Sequence, residues 1–172
     1  FAFADKNAGA GNKHVSVSGV GVNDGNGGGN YVVAYADNTT STIDPFAVSL
    51  TGTRAYDGTT AVGAGALTLG TLVGGEKLGL SGSATAASKN TGTQTLDVAG
   101  LALGNGTGLA SNYTFSGGTQ TVAITKAALT VSTSDVTKTY DGSLSAIGTA
   151  IAGGGTHLFA ADSLSGGTYA FT

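Results

Sequence analysis

The chain has 172 residues and a net charge of −3 at pH 7, and charged residues make up 10% of it, against roughly 25% in ordinary soluble domains. This balance, with no basic run, argues against nucleic acid as a partner, and the absence of cysteine excludes disulfide bonds and thiol chemistry. No apolar run approaches the roughly 18 residues that a membrane helix needs, so no membrane span is predicted. Because the chain has no Met, we expect it to be a processed or excised piece, with any export signal outside it.

Apolar residues recur at every second position along most of the chain. In residues 1–44 the pattern comprises Val15, Val17, Val20, Val22, Tyr31, Val33, Tyr35 and Ile43. In residues 45–126 it comprises Leu67, Leu69, Leu78, Leu80, Leu96, Val98, Leu101, Leu103, Tyr113, Phe115, Val122 and Ile124, and in residues 127–172 it begins with Leu129 and Val131. This period, with threonine, serine and glycine between, is typical of antiparallel strands with one solvated face.

Turn signals separate the alternating stretches at regular intervals. They are Asp57-Gly58, Gly74-Gly75, Asn90-Thr91-Gly92, Gly104-Asn105-Gly106 and Gly117-Gly118. About seven short strands separated in this way predict an all-β fold of the antiparallel β-sandwich type. A β-solenoid is the alternative, although no shorter repeat with the roughly 20 to 25 residues of a solenoid coil is evident.

The sequence repeats itself at an interval of about 84 residues. Tyr56-Asp57-Gly58 recurs as Tyr140-Asp141-Gly142, and Lys6-Asn7 recurs as Lys89-Asn90. Asn112-Tyr113 likewise repeats Asn30-Tyr31. We therefore predict tandem β units.

The interval divides the chain into one complete unit and two halves. Residues 1–44 are predicted to be the C-terminal half of a unit, residues 45–126 a complete unit, and residues 127–172 the N-terminal half of the next. Eight apolar residues of the complete unit are expected inside: Leu69, Leu80, Leu96, Val98, Tyr113, Phe115, Val122 and Ile124. Neither half can close a core alone, so each is expected to need a neighbouring unit.

Three motifs in this order resemble a known family. They are Lys138-Thr139-Tyr140-Asp141-Gly142, Phe3-Ala4-Asp5-Lys6-Asn7-Ala8-Gly9, and Ser111-Asn112-Tyr113-Thr114 followed by Val122-Ala123-Ile124-Thr125. The chain resembles the YDG repeat family, which is related to the mostly-beta, glycine-rich repeats. Two departures are Ser88 in place of the motif's aspartate and Arg54-Ala55 in place of Lys-Thr. The resemblance implies a module of large bacterial surface proteins of the filamentous-haemagglutinin type, at the cell surface or outside the cell, and it implies no catalytic residues.

Candidate sites are few, and each has a structural interpretation. The Asp24–Asn30 stretch suggests a calcium loop but offers one carboxylate, too few for a hard cation. His14 and His157 occupy non-equivalent positions of the repeat, and Glu76 is the sole glutamate, expected in a solvated turn. We therefore predict no enzyme and no catalytic, cofactor or metal-binding residues.

Tyr56-Asp57-Gly58 is interpreted as a tight turn. Its glycine is expected at positive φ. The Tyr56 ring is expected to pack inward while its hydroxyl reaches the backbone. The repeated Lys6-Asn7 and Lys89-Asn90 pairs are interpreted as exposed turn residues.

Together these features predict a structural role. We expect a segment of an extracellular bacterial fibre or adhesin stalk, whose partners are neighbouring repeats or copies of itself, joined head to tail. The alternative is an adhesin module that binds a carbohydrate or host receptor directly, which would need exposed aromatic residues near carboxylates. Cell surfaces and matrix polysaccharide are further expected partners.

Overall fold

The computed structural model describes residues 2–159 and 161–171 and is mostly β, which confirms the all-β part of the predicted fold class. Its first sheet is antiparallel and has the order β1-β2-β3. The strands are β1 (Ala2–Phe3), β2 (Gly9–Ser16) and β3 (Asn38–Ile43). Register shifts interrupt the β2–β3 ladder on both sides of Lys13. Lys13 is buried, and its Nζ lies 2.5 Å from Asp5 Oδ2, so the buried charge is paired.

A long loop, residues 17–37, connects β2 to β3. Tyr31, Val33 and Tyr35 alternate in sequence here, yet all three are exposed. The alternation in this stretch therefore does not mark a strand.

The central sheet has seven strands, all drawn from the predicted complete unit. They are β5 (Leu50–Ala55), β6 (Ala61–Gly63), β7 (Leu67–Leu69), β8 (Gly79–Ala86), β9 (Gly92–Asp97), β10 (Leu101–Gly104) and β12 (Thr121–Thr125). Two shorter strands, β4 (Phe46–Ala47) and β11 (Tyr113–Thr114), pair in parallel beside it. Short 3-10 helices lie at Ala64–Ala66, Val73–Gly75 and Ala110–Asn112.

This sheet is nearly closed and barrel-like, a shape that differs from the two facing sheets of the predicted sandwich. Its order is β10-β8-β9-β12-β5-β7, and Thr85 of β8 pairs with Asp97 of β9 on one side and with Ala61 of β6 on the other. β6 and β7 thus stand at opposite ends of the sheet, although only the 3-10 helix Ala64–Ala66 separates them. Since such a helix rises about 2 Å per residue, the two ends must lie close together.

Within the central sheet, the pairing of β12 with β5 departs from the predicted antiparallel arrangement, as the pairing of β4 with β11 does beside it. β12 pairs with β9 antiparallel but with β5 in parallel, so that Ala123 faces Thr53. A parallel pair requires a long connection between its strands. Here the stretch from β6 to β11 provides that connection.

The hydrophobic core fills the interior of the central sheet. It consists of Leu50, Val62, Leu67, Ala84, Ala86, Leu96, Val122 and Ile124. The two alanines face inward from β8 because the interior of a small barrel is narrow and accepts small side chains at some positions. The sequence pattern, which was based on larger apolar residues, did not predict these two alanines as core residues.

The eight predicted interior residues divide into two groups. Leu96, Tyr113, Val122 and Ile124 are buried, whereas Leu69, Leu80, Val98 and Phe115 are half-buried and pack against the core. Tyr113 lies outside this core, with its ring 6.1 Å from the ring of Phe46 in an edge-to-face contact.

The last part of the chain carries a two-stranded antiparallel sheet, β13 (Thr130–Thr133) with β14 (Ala150–Gly153). An isolated antiparallel bridge joins Ser145 to Ala170. Each sheet takes its strands from one of the three predicted segments, and the unit boundaries themselves stay a prediction.

Candidate inter-unit interface

The Tyr56-Asp57-Gly58 turn is held together by a compact polar network. Asp57 Oδ1 accepts hydrogen bonds of 2.9 Å from the backbone N–H and the hydroxyl of Thr59. Arg54 forms an ion pair with the same oxygen and donates to the carbonyl of Thr59 at 2.5 Å. Gly58 has φ of 77°, which a residue with a side chain adopts only with strain. The predicted tight turn is confirmed.

The copy of this turn at residues 138–143 has the same network. Lys138 takes the place of Arg54: its Nζ lies 2.7 Å from Asp141 Oδ1 and donates to the carbonyl of Ser143 at 2.7 Å. Asp141 Oδ1 also accepts from the backbone N–H and the hydroxyl of Ser143, at 2.9 Å each. Gly142 has φ of 74°. The two turns therefore share their cation, carboxylate, hydroxyl and glycine.

Ionised aspartate is favoured in both turns. Burial opposes ionisation of Asp57, but the N–H of Thr59 and the Arg54 guanidinium donate to its carboxylate and hold its pKa below the ordinary value. The Lys138 ammonium, followed by the N–H and hydroxyl of Ser143, lowers the pKa of Asp141. Both carboxylates are therefore charged at neutral pH.

The two tyrosines differ in their surroundings. Tyr56 is half-buried, with its ring 5.8 Å from the ring of Phe159 in an edge-to-face contact. Its hydroxyl donates to Asp162 Oδ2 at 2.9 Å, not to the backbone as the sequence predicted. Tyr140, by contrast, is 93% exposed.

A first junction connects the segment 1–44 to the central sheet. The backbone N–H of Ala8 donates to Asn112 Oδ1 at 2.8 Å, and Asn112 Nδ2 donates to Asn7 Oδ1 at 2.9 Å. Asn7 is itself held by Asp5, whose Oδ1 accepts from the Asn7 backbone and side chain. Asn7, predicted to be an exposed turn residue, is thus half-buried in a contact between segments.

A cleft of about 280 Å³ opens at this junction, which we call the first cleft. Its lining comprises Lys6, Ala8, Ile43, Asp44, Phe46, Val73, Glu76, Asn112 and Tyr113. Glu76 was expected in a solvated turn, yet it is half-buried and Oε2 accepts a 2.6 Å hydrogen bond from the Tyr113 hydroxyl. That bond to a carboxylate raises the pKa of Tyr113.

A second junction connects the central sheet to the segment 127–172. Its cleft, the second cleft, also measures about 280 Å³. It is lined by Tyr56, Thr91, Lys126, Ala127, Ala128, Leu129, His157, Leu158, Phe159 and Asp162. Lys89 Nζ lies 6.0 Å from the centre of the Tyr56 ring, within the range of a cation–π contact.

The two clefts occupy equivalent places in the sequence repeat. Ala8 of the first corresponds to Thr91 of the second, and Val73 corresponds to His157. Each cleft also adjoins a predicted unit boundary, at residues 44/45 and 126/127. The two clefts therefore lie at corresponding positions of the sequence interval.

Comparison with known proteins bears on the central sheet. Residues 39–122 match the family model described as the YDG domain. A YDG domain is found in this chain. The match begins in β3 and ends in β12, so it contains nearly all of the nearly closed sheet and the Tyr56 turn. No curated protein and no solved structure matches the chain.

The other candidate residues lie in and around the YDG domain. Asp24 Oδ1 accepts from the backbone N–H groups of Asn26 and Gly28, and Oδ2 accepts from that of Asn30. These bonds, with that of Gly28 foremost, lower the pKa of Asp24. Its carboxylate thus organises the glycine-rich loop.

Neither histidine belongs to the YDG domain. His14 lies in β2, and His157 packs its ring 4.6 Å from that of Phe159 in the second cleft. Across residues 2–159 and 161–171, no group of three or more histidine, cysteine, aspartate or glutamate residues is placed to hold a metal ion. In the same part of the chain, no helix has the length and apolar character needed to cross a membrane.

Sequence reasoning did not identify the residues that contact across the junctions. Asn112 belonged to a motif that carried the resemblance, but nothing in its spacing indicated Asn7 as its partner. Phe159 and Asp162 lie in a stretch without alternation, about one hundred positions from Tyr56. Only folding brings these residues together.

Proposed function

We propose that this chain is a structural segment of an extracellular bacterial fibre or adhesin stalk, built from tandem β units that associate end to end. The YDG domain and the all-β fold are the parts of this proposal that rest on direct observation. The junctions supply its physical mechanism.

The observation that carries the proposal is the equivalence of the two clefts. Both have a volume of about 280 Å³, both adjoin a unit boundary, and both are crossed by side-chain hydrogen bonds. At the first, Asn112 bonds to Asn7 and Ala8, and at the second, Tyr56 bonds to Asp162. Contacts at both boundaries would fix the orientation between successive units, as a stalk requires.

The duplicated turn supports the same conclusion. Arg54-Asp57-Thr59 and Lys138-Asp141-Ser143 have matching hydrogen bonds, although the cation and the hydroxyl residue differ. Because the geometry persists while the residues change, the turn behaves as a fixed element of a repeating unit.

The extracellular bacterial setting is supported by the resemblance to surface-protein repeats. The low charged fraction and the absence of cysteine are compatible with it, since secreted bacterial fibres often lack cysteine. Antibody labelling of intact and of permeabilised source cells provides the test. Labelling that requires permeabilisation would exclude a surface location.

The stalk hypothesis is tested by adding units. Chains that carry one, two and three further copies of residues 45–126 are compared by small-angle X-ray scattering. We expect the maximum dimension to increase by a constant step with each copy. The matched control combines Asn112→Ala with Tyr56→Ala in every unit, which removes the contacts across both junctions and is expected to produce flexible particles. The proposal is contradicted if the maximum dimension does not grow by an even step with each copy. It is also contradicted if the chains with the double substitution lengthen by the same even steps as the parent chains.

The alternative, direct binding of a carbohydrate or receptor, draws on the second cleft, where Tyr56 and Phe159 lie beside Asp162. The structural role is favoured because the two rings pack edge to face and the Tyr56 hydroxyl already donates to Asp162. These groups are thereby engaged in holding two segments together. A glycan array probed with the intact chain separates the alternatives.

A further inference from the structure

Asp5 lies at the centre of a chain of hydrogen bonds that ends on the YDG domain. Its Oδ2 pairs with Lys13 Nζ at 2.5 Å, and its Oδ1 accepts from the backbone N–H and the Nδ2 of Asn7 at 3.0 and 2.9 Å. Asn7 Oδ1 in turn accepts from Asn112 Nδ2, and Asn112 Oδ1 accepts from the backbone N–H of Ala8. One carboxylate thus connects a lysine of β2 to the residues that cross the first junction.

The lysine at one end of this chain of bonds is buried. Lys13 is 8% exposed, and the β2–β3 ladder shifts register on both sides of it. A buried ammonium group is costly without a counterion. Asp5 supplies the counterion, so the Lys13 side chain fixes where the carboxylate lies. The carboxylate then orients Asn7, since it accepts from both the backbone N–H and the side-chain amide of that residue.

The two copies of this motif differ at both ends of the ion pair. When the two Lys-Asn pairs are aligned, Ser88 corresponds to Asp5 and Leu96 to Lys13. The structure supports this alignment, since β2 and β9 each begin two residues after the aligned asparagine. Lys13 and Leu96 are each 8% exposed. The position is therefore buried in both copies, and the carboxylate occurs in the copy that has the lysine.

Serine and aspartate hold the asparagine that follows them in different ways. Ser88 Oγ accepts from the backbone N–H of Asn90 at 3.1 Å, which reproduces one of the bonds that Asp5 makes. A hydroxyl has neither the charge nor the second oxygen of a carboxylate, so it cannot orient an asparagine and neutralise a cation together. The first junction thus depends on a titratable group that the second copy of the motif lacks.

We propose that Asp5 is a positioning residue of the first junction, where its charged carboxylate, anchored by buried Lys13, holds Asn7 against Asn112. This inference rests on the proposed function, since it names the group that controls one junction between units. Loss of the charge leaves Lys13 without its counterion and weakens the hold on Asn7, so the junction loosens. A unit with serine and leucine at these two places has a junction that this charge does not control.

The control by Asp5 operates under acid conditions. The Lys13 ammonium, followed by the backbone N–H of Asn7, holds the pKa of Asp5 below its ordinary value of 3.8. Such a carboxylate stabilises the folded chain above the unfolded-state pKa, and the effect is lost as pH falls through the folded-state pKa. The junction should therefore be closed at neutral pH and should loosen on acidification.

Other charged groups surround the same junction. Lys6, Asp44 and Glu76 line the first cleft, and His14 follows Lys13 in β2 and is exposed. Within the described residues, Lys13 is the one group that forms an ion pair with Asp5. Asp44 and Glu76 also titrate in acid, so the test must separate their effect from that of Asp5.

The test gives the first copy of the motif the residues of the second. Asp5→Ser is made alone and combined with Lys13→Leu, because replacing a buried ion pair together with its charge is tolerated far better than removing one partner. The combined variant keeps Asp44 and Glu76. Asp37→Ser is the matched control, because Asp37 is exposed in the loop before β3.

Hydrogen exchange of single amides is followed by NMR from about pH 6 to about pH 2.5 and is expressed relative to the intrinsic rate at each pH. Ala8 reports the junction, because its N–H donates to Asn112 Oδ1. Leu96 reports the YDG domain, because its N–H donates to the Gln120 carbonyl in the central sheet.

In the parent, acidification should lower the protection of the Ala8 amide by roughly tenfold or more, as expected for loss of a hydrogen bond to a charged group, while Leu96 stays protected. The combined variant should already have the lower Ala8 protection at neutral pH and should lose no more in acid. Asp5→Ser alone should also lose protection in β2, because Lys13 stays buried without a counterion. Asp37→Ser should match the parent.

Three results would overturn the inference. The first is a combined variant that protects Ala8 as well as the parent does at neutral pH. The second is a parent in which Ala8 protection does not change with pH while Leu96 remains protected. The third is a combined variant that keeps the pH dependence of the parent, since Asp44 or Glu76 would then be responsible. The comparison at neutral pH decides the outcome even where acid unfolds the domain.

Failure here is distinguishable from failure of the stalk hypothesis. The added copies of residues 45–126 in the scattering experiment carry Ser88 and Leu96 in place of the ion pair, so their lengthening in even steps does not depend on Asp5. A chain that lengthens in even steps, but whose Ala8 protection is insensitive to Asp5, retains the proposed function and loses only this inference.

Discussion

The hydroxyl of Tyr56 donates a 2.9 Å hydrogen bond to the carboxylate of Asp162, 106 positions further along the chain. Tyr56 belongs to a turn of the YDG domain, and Asp162 belongs to the segment that follows the domain. The bond therefore connects two successive parts of the chain. The donor of this bond, Tyr56, recurs in the sequence as Tyr140.

Replacing Tyr56 by Phe should loosen this connection without unfolding the YDG domain. The ring can still contact Phe159, and the loss of one partly exposed hydrogen bond costs about 0.5–1.5 kcal/mol. Hydrogen exchange followed by mass spectrometry should show faster exchange in residues 156–166 and unchanged exchange in β5, β9 and β12. The matched control is Tyr140→Phe, whose hydroxyl is exposed and should not affect exchange in the monomer. Equal effects of the two substitutions would show that Tyr56 has no special part in the junction.

Core substitutions should rank by burial. Leu50 is fully buried in the core, and Leu50→Ala should cost about 2–5 kcal/mol. For Phe115→Ala, the sequence alone predicts a loss of about 3–5 kcal/mol, the range for a fully buried ring. Since Phe115 is half-buried, we now expect a smaller loss than for Leu50→Ala. Urea denaturation of both variants gives the two values, and the reverse order would show that the ring matters more than its exposure indicates.

Acidification should weaken the turn at Asp57. Its pKa in the folded chain lies below the ordinary value of 3.8 because the donors around the carboxylate outweigh burial. A lowered folded-state pKa gives stabilisation that is present above the unfolded-state pKa and is lost as pH falls through the folded-state pKa. Asp57→Asn cannot ionise, so it should be less stable than the parent at neutral pH, and the difference should shrink towards pH 2–3. Urea denaturation at steps of pH measures this. A difference that stays constant with pH would mean that the charge of Asp57 does not contribute.

Gly82 should resist substitution. It lies in β8 with φ of 91°, and a Cβ there would meet the carbonyl oxygen of Gly100 on the neighbouring backbone. Gly82→Ala should therefore cost about 1–3 kcal/mol from the strained φ alone. Gly63→Ala is the matched control, because Gly63 has an ordinary φ of −65° and open space at its Cβ position. Thermal melting should separate the two variants clearly, and similar melting temperatures would mean that the backbone at Gly82 shifts at little cost.

Local features of the fold were predictable because their causes are local. The Asp-Gly turns at Asp57 and Asp141 follow from glycine's tolerance of positive φ. Strands such as β12 follow from the alternation that includes Val122 and Ile124. The same alternation at Tyr31, Val33 and Tyr35 wrongly predicted a strand. An alternating sequence is compatible with a strand, but the strand forms only where a neighbouring surface packs against its side chains.

The arrangement of the strands was harder to predict from the sequence. The parallel pairing of β12 with β5 and the near closure through Ala64–Ala66 both depend on contacts between residues far apart in sequence. Ala84 and Ala86 could not be predicted as core residues from the sequence, because alanine is neither large nor β-branched. They become core residues only when the narrow interior of the sheet excludes larger side chains.

The sequence by itself determined the all-β class, the YDG turns and their repetition at an interval of about 84 residues. These depend on short-range backbone preferences, which a few neighbouring residues specify. The tertiary structure alone decided that Tyr56 bonds to Asp162, that Asn7 bonds to Asn112, and that Glu76 lies in a cleft with Tyr113. Such pairs form because folding brings distant segments together, and neither composition nor spacing records which of many possible partners will meet.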